Sequence, residues 1–573
     1  MEIVNPELPQ KEKRHFISDD LNFDSWEALE PVYAGLKSRS IASFGDLNDW
    51  LSDLSELDSA IQEHAGWLYI RMTCDTQNKA ATDAYVHFVN NIQPKIAPFE
   101  DELNRKFNAC SFKKELPSSY NNFQKAVENS IRLFREKNIP LQAELQVKEQ
   151  KYGEVSGAMT VELNGKTLTL QQASNFLKDP DREKRKEAFR KIAVRRLQDR
   201  ATLDNMFNEL VRLRHAVAVN ADYENYRDYK FVELDRSDYT AEDCKKFHQS
   251  VQECVVPLLN ELYRMKASEL KLEKLKPWDL DADSAGRPDL KPFSSAQDLI
   301  EKTKKCFREI DSYFGEVVDV LSGLHHLDLD SRIGKAPGGY NYPLYEIGVP
   351  FIFMNSSGLL RDVITMVHEG GHAIHSMLTR DLDFVAFKEL PSEVAELASM
   401  SMELISMEHW HHFLPDAEDL KRAKREQLEN VIEGLPWIAA IDKYQHWLYL
   451  HPTHSISERT EAWKEIFKGF SSTVVDWSED TDARDAWWQK QLHLFEVPFY
   501  YIEYGMAQLG AIAVWRNYKQ NPQKTIEQYK NALKAGSTLT IPEIYQTAGI
   551  RFDFSESYIR ELTEFVHGEL KKL

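Results

Sequence analysis

Val363-Ile364-Thr365-Met366-Val367-His368-Glu369-Gly370-Gly371-His372-Ala373-Ile374-His375 is the stretch around which this chain is organised. Apolar residues recur at helical spacing through Leu360, Val363, Ile364, Val367, Ile374 and Leu378, and the segment holds no proline, so it reads as a helix. Asn355, Ser356 and Ser357 stand just upstream, where a helix start takes a capping side chain. On such a helix His368 and His372 lie one turn apart on one face, with Cβ atoms roughly 5–6 Å from each other. Two imidazoles so placed can share one zinc ion, and Glu369 falls on the adjacent side, where a water to be activated would sit. Histidines and a carboxylate are costly inside an apolar pattern unless they have partners. Gly370 and Gly371 each cost roughly 1 kcal/mol against alanine in a helix interior, which points to a close approach to the backbone there.

A catalytic zinc site takes three protein ligands and keeps one position open. The helical stretch that follows offers Glu389, Glu393, Glu396 and Glu403. Within Glu393-Val394-Ala395-Glu396-Leu397-Ala398-Ser399-Met400-Ser401-Met402-Glu403 the acids recur at helical spacing on a largely apolar helix, where they are unusual unless paired or metal-bound. Composition does not choose among them, and a salt-bridged helix surface accounts equally well for Glu389 and Glu393.

At 573 residues the chain is too long for one ordinary core and is expected to form two or more lobes. A net charge of −20 and a pI near 5.5 argue against nucleic acid and against an anionic membrane surface. The five cysteines (Cys74, Cys110, Cys244, Cys254, Cys306) are odd in number, scattered and without a C-x-x-C pair, which reads as thiols in a reducing compartment. Met1-Glu2-Ile3-Val4-Asn5-Pro6 has no apolar signal region, and no apolar run reaches the length of a membrane span, so the expectation is a cytoplasmic protein.

From about Phe23 to Asn138 the pattern is helical, with Trp26, Trp50, Trp67, Tyr69, Tyr85 and Phe88 at core-like spacing, and it reads as packing between long helices. Met159–Leu163 and Lys166–Leu170 alternate on either side of Asn164-Gly165, the signature of a type I′ hairpin. Asp179-Pro180-Asp181 then opens a helical region to about Asn220, whose Arg182–Glu187 charges read as a solvated face. Helices resume from Thr240 to Leu272, Lys276–Phe293 reads as a surface loop, and one further helix is expected from Ser295 to Leu321. Val349–Asn355 reads as a buried strand before the motif helix, and Gly338-Gly339-Tyr340 as a candidate substrate-contacting loop. The C-terminal third is helical. A boundary near the hairpin divides an N-terminal helical lobe, 1–175, from a catalytic region, 176–573.

Taken together, Lys335 to Glu403 resembles the thimet oligopeptidase and oligoendopeptidase F family of zinc metallopeptidases. The resemblance rests on Ala336-Pro337-Gly338-Gly339-Tyr340, Val349-Pro350-Phe351-Ile352-Phe353, His368-Glu369-Gly370-Gly371-His372 and a Glu-x-x-Ser-x-x-x-Glu element. It implies that the first glutamate of that element, roughly 24 residues beyond the second histidine, is the third ligand. Glu396, Ser399 and Glu403 fit pattern and spacing; Glu389, Ser392 and Glu396 fit the pattern but lie seven residues nearer, leaving Glu389 as the alternative. Glu403 would then orient a ligand histidine. Further on, His493-Leu494-Phe495-Glu496-Val497-Pro498-Phe499-Tyr500-Tyr501-Ile502-Glu503-Tyr504 resembles the family's histidine and tyrosine cluster, which implies Tyr501 and Tyr504 as phenol donors with His493 beside them. The loop at Pro277-Trp278-Asp279 is also similar to the family, and the likeness is specific from about residue 180 to 560.

What the resemblance implies is a mostly α, neurolysin-like fold of two helical lobes enclosing a deep substrate channel, with a few short strands near the zinc site. It further implies one Zn²⁺ per chain on His368, His372 and Glu396, with Glu369 as general base in the hydrolysis of internal bonds of oligopeptides. A dipeptidyl carboxypeptidase or carboxypeptidase with the same zinc site is the alternative. From another class, a non-catalytic peptide-binding helical scaffold would carry the motif by chance.

Overall fold

The computed structural model describes residues 8–573 apart from 284 and 333; the Met1–Pro6 start read for a signal region lies outside them. Helices dominate, the longest being Phe44–Cys74, Ala241–Glu269 and Ala417–Leu450. Their starts follow local chemistry. Ser43 accepts from the Asp46 N–H, Asp181 from the Glu183 N–H, and Thr240 forms a reciprocal capping box with Asp243.

Two small sheets interrupt the helices. β1 (Thr160–Leu163) and β2 (Lys166–Thr169) pair antiparallel across Asn164 and Gly165, both at positive φ (53° and 73°), as a type I′ turn requires. β3 (Leu327–Asp330), β4 (Tyr340–Tyr342) and β5 (Phe351–Ser356) form the second sheet in the order β3-β5-β4, with β5 parallel to β3 and antiparallel to β4. The apolar run expected as a buried strand is therefore the central strand, and Phe351 to Met354 are buried.

The chain forms two compact units, each gathered from three separated segments. The first comprises Met1–Glu136, Lys291–Lys421 and Ala507–Phe552. Its N-terminal core packs Leu29, Tyr33, Trp50, Phe88 and Phe107 with Phe384 and Phe387, so the early aromatics are packing residues. Trp50 is fully buried and donates its indole N–H to the Leu36 carbonyl at 3.0 Å.

The second unit comprises Lys137–Leu290, Arg422–Met506 and Asp553–Leu573. Here two expectations are corrected. Pro277, Trp278 and Asp279 are buried rather than part of a surface loop. Arg185, read as belonging to a solvated face, is also buried and donates to the Asp279 carboxylate at 3.0 Å, with Arg182 on the same group at 2.7 Å. A buried carboxylate needs such partners, and these come from nearly a hundred residues away, beyond the reach of a local pattern. In the first unit, the single helix expected over 295–321 is two, Ala296–Ile310 and Ser312–Gly323. Asp311 breaks it with extended φ/ψ and caps the second helix through the Tyr313 N–H.

Candidate metal centre and active site

The motif helix runs from Leu360 to Thr379. Its start is capped from inside, not by Asn355–Ser357 as expected. The Asp362 carboxylate accepts from the backbone N–H groups of Ser357 (2.7 Å) and Leu359 (2.9 Å). Asn355 sits in β5 and turns its amide to the Ala336 and Gly338 carbonyls at 2.8 and 3.0 Å, pinning the Gly-Gly loop.

The acid helix, Ser392–Ser406, crosses the motif helix at Gly371. A Cβ at Gly371 would stand 2.7 Å from the Ser399 Cα, 2.8 Å from the Ala398 carbonyl oxygen and 3.0 Å from the Met402 Cβ. At Gly370 a Cβ would stand 2.7 Å from the Phe307 ring. The close approach read from the paired glycines is thus another helix backbone on one side and an aromatic ring on the other, and that crossing brings Glu396 to the histidines.

Ligand atoms of His368, His372 and Glu396 lie within 4.8 Å of one another. Glu396 Oε2 stands 3.4 Å from His368 Nε2 and 3.7 Å from His372 Nε2, and it accepts from the Ser399 hydroxyl at 2.9 Å. His368 Nδ1 is 2.7 Å from Glu403 Oε1, which turns Nε2 toward Glu396. Glu389 is elsewhere: it is exposed and accepts from the Gln62 amide at 2.8 Å. His375 is buried beside the motif, and neither ring nitrogen makes a hydrogen bond.

Burial lowers the pKa of His372 to about 4, keeping the imidazole neutral, as a metal ligand must be. Burial opposes charge on His368 too, but hydrogen bonds to the Glu396 and Glu403 carboxylates outweigh it and raise its pKa well above the ordinary value. Burial pushes Glu369 up to about 7, with the Glu396 and Glu403 charges adding and the His368 charge opposing. Two imidazoles and one carboxylate with an oriented outer shell fit Zn²⁺.

Two residues beyond the motifs shape the surroundings of Glu369. Asn341 in β4 donates its amide toward the Glu369 carbonyl at 3.4 Å, and a Cβ on Gly339 would come within 3.9 Å of Glu369 Oε1. Lys335, buried, anchors the start of the same loop. Its ammonium donates to the Asp328 carboxylate at 2.9 Å and to the Asp330 and Met354 carbonyls. A lysine in front of Pro-Gly-Gly was the visible signal, but its acceptors were not.

In the second unit His493, Tyr501 and Tyr504 form their own cluster, with ring centroids 5.0 Å (His493–Tyr501), 5.8 Å (His493–Tyr504) and 5.5 Å (Tyr501–Tyr504) apart. The Gln491 amide donates to His493 Nδ1 at 2.7 Å, which leaves the ring proton on Nε2. Burial raises the Tyr501 pKa, so the phenol stays a donor. Phe499, just upstream, holds a positive φ of 67°. Gln445 Oε1 accepts its N–H at 2.5 Å, and Arg236, paired with Glu503, donates to its carbonyl at 2.5 Å. That clamp stabilises a left-handed backbone that an aromatic residue rarely adopts.

Comparison with known proteins agrees with this architecture. A family model described as peptidase family M3 matches residues 175–564, and one for a peptidase M3 N-terminal domain matches residues 22–134. An oligoendopeptidase F homolog of Borreliella burgdorferi is 22% identical over 548 residues, 93% of this chain and 88% of that protein. Oligopeptidase PepF of Bacillus subtilis is 21% identical over 391 residues, 68% of this chain and 57% of its own. Among solved structures, PZ peptidase A with an inhibitor superposes with a TM-score of 0.91 at 24% identity, covering 98% of this chain and 99% of that one. An oligoendopeptidase F structure does so at 0.91 and 23%, covering 97% and 99%. The structural likenesses show the mostly α fold; with the family model matching well over half its length, the chain belongs to peptidase family M3 and is a metalloendopeptidase.

Proposed function

We propose that this chain hydrolyses internal bonds of unstructured oligopeptides with one Zn²⁺ held by His368, His372 and Glu396. The observation that carries the reading is the convergence of those three ligand atoms within 4.8 Å, with buried Glu369 adjacent to His368 on the motif helix. When bound, the ion would supply Lewis-acid activation of the attacking water and polarisation of the scissile carbonyl. Glu369 Oε takes the proton of that water and passes it to the departing amine, a role suited to a carboxylate whose pKa lies near 7. Glu403 holds His368 by Nδ1, and Ser399 holds the Glu396 carboxylate, so neither ligand has to reorganise. Strand β4, at the edge of its sheet and next to Glu369 through Asn341, offers main-chain groups to an extended peptide. Tyr501, Tyr504 and His493 are assigned to the same reaction as donors to the carbonyl oxygen, on the strength of their motif and of the Tyr501 phenol, which burial keeps protonated. Each such donor is worth roughly 3 kcal/mol in comparable sites.

The division near residue 175 is supported by the family model that begins there. Among the described residues no helix is long and apolar enough to cross a membrane.

The test is an internally quenched peptide blocked at both ends, incubated with purified protein before and after chelation. Cleavage at an internal bond that chelation abolishes and zinc restores is the expected result. Cleavage confined to substrates with a free C-terminus would replace the endopeptidase by a carboxypeptidase, and undiminished cleavage after complete zinc removal would overturn the metal mechanism.

A further inference from the structure

A second group of metal-ligating side chains lies buried in the second unit, built by the spacing logic of the first site. Helix Ala241–Glu269 carries Cys244 and His248, and helix Ala417–Leu450 carries Asp442 and His446. Each pair is four residues apart, so each sits on one helical face one turn apart. All four are at least nine-tenths buried: Cys244 and Asp442 are 0% exposed, His248 3% and His446 5%. Ligand atoms of Cys244, Asp442 and His446 lie within 4.8 Å of one another.

The hydrogen bonding of the group is incomplete in a directed way. His248 Nε2 stands 2.7 Å from Asp442 Oδ2 and fixes the carboxylate. His446 Nε2 is 3.3 Å from the same oxygen, yet neither nitrogen of His446 makes an aligned hydrogen bond, and Asp442 Oδ1 makes none either. Buried imidazole and carboxylate atoms without hydrogen bonds are uncommon and call for a further partner such as an ion. The same convergence without alignment relates Glu396 to His372 in the motif site.

From these observations we infer a second, structural zinc site formed by Cys244, Asp442 and His446, with His248 as the outer partner that orients Asp442. Sulfur, imidazole and carboxylate together form a donor set that zinc accepts. One thiolate and one carboxylate neutralise a divalent cation, so the assembled site carries no net charge, which suits its burial. The ion would tie the two long helices together beneath the clamp. The His446 ring packs edge-on against Phe499 with centroids 5.4 Å apart, and Gln445, its neighbour, accepts the Phe499 N–H. A structural ion here would therefore hold the backbone that leads into Tyr501 and Tyr504.

Metal analysis and cobalt spectroscopy on the full chain test the assignment. Two zinc ions per chain are expected in protein purified with zinc, and one in Glu396→Ala, which loses only the motif site. Replacement of zinc by Co²⁺ should produce a thiolate-to-cobalt charge-transfer band in the near ultraviolet. The motif site has no sulfur, and neither has the half-exposed Glu309, His411 and His412 group, so the band reports only Cys244. Cys244→Ser and His446→Gln should each lose the band and one zinc per chain while Glu369-dependent peptide cleavage is measured separately. One zinc per chain with no band in the wild-type protein would overturn the site and leave a buried imidazole–carboxylate pair. A second zinc without the band would assign it to the Glu309 group and overturn it equally.

Discussion

In the proposed mechanism Glu369 is the residue on which turnover depends most directly. Replacing it by glutamine keeps the volume and removes the base, so Glu369→Gln should retain bound zinc and lose about 10²–10⁴-fold in kcat, read by steady-state kinetics alongside metal analysis. His375 bears on stability instead. Burial, with the nearby His372 adding, lowers its pKa to about 3, so the folded chain holds it neutral while the unfolded chain protonates it near pH 6.5. The unfolded state therefore binds more protons below pH 6.5. The stabilisation is complete above that pH and is lost progressively as the pH falls toward 3. In metal-free protein the slope of stability against pH between 4 and 6 should be shallower for His375→Gln than for wild type by up to about 1.4 kcal/mol per pH unit. Denaturant titrations at several pH values measure it, and parallel slopes would show that His375 is already charged when folded.

At the scale of elements, the crossing of the motif and acid helices decides whether Glu396 reaches His368 and His372. A methyl group at Gly371 would collide with backbone atoms at 2.7 and 2.8 Å, and backbone yields less readily than a side chain. Gly371→Ala should cost about 1–3 kcal/mol, as overpacked sites do, and should weaken zinc retention by moving Glu396. Thermal melts and chelator competition read the two effects, and a variant that melts lower but holds zinc as tightly would separate the crossing from the ligand set. The motif helix, the hairpin at Asn164-Gly165 and strand β5 were legible from local pattern, because each is specified by residues near in sequence. The Asp362 cap and the break at Asp311 were not read in advance. An acid in a helix's first turn and an acid between two apolar runs both look like ordinary surface residues until the backbone shows what they bind.

For the whole molecule the net charge of −20 is the property that substrates meet first. Electrostatic attraction of a basic oligopeptide extends over about 30 Å at 0.01 M salt and about 8 Å at 0.15 M. kcat/KM for a lysine- and arginine-containing peptide should therefore fall as salt rises through that range, while that of a matched neutral peptide stays level. Equal salt responses would mean that the charge is distributed away from the path of entry. Each compact unit is assembled from three distant segments, and the two site clusters named from sequence fall one in each unit.

By itself, the sequence determined the helical class and singled out His368, His372 and Glu369 as the proposed ligand pair and base, since one helical turn relates all three and no distant residue enters the argument. It also limited the third ligand to a few acids and, through the paired glycines, announced a close backbone contact. Only the tertiary structure decided that the contact is the Glu396 helix, that Arg185 and Asp279 are buried together, and that Cys244 and His446 converge. Those outcomes depend on which surfaces meet after the chain has turned back on itself, and residues on separate elements, from some 25 to some 200 positions apart, leave no periodic trace of their meeting.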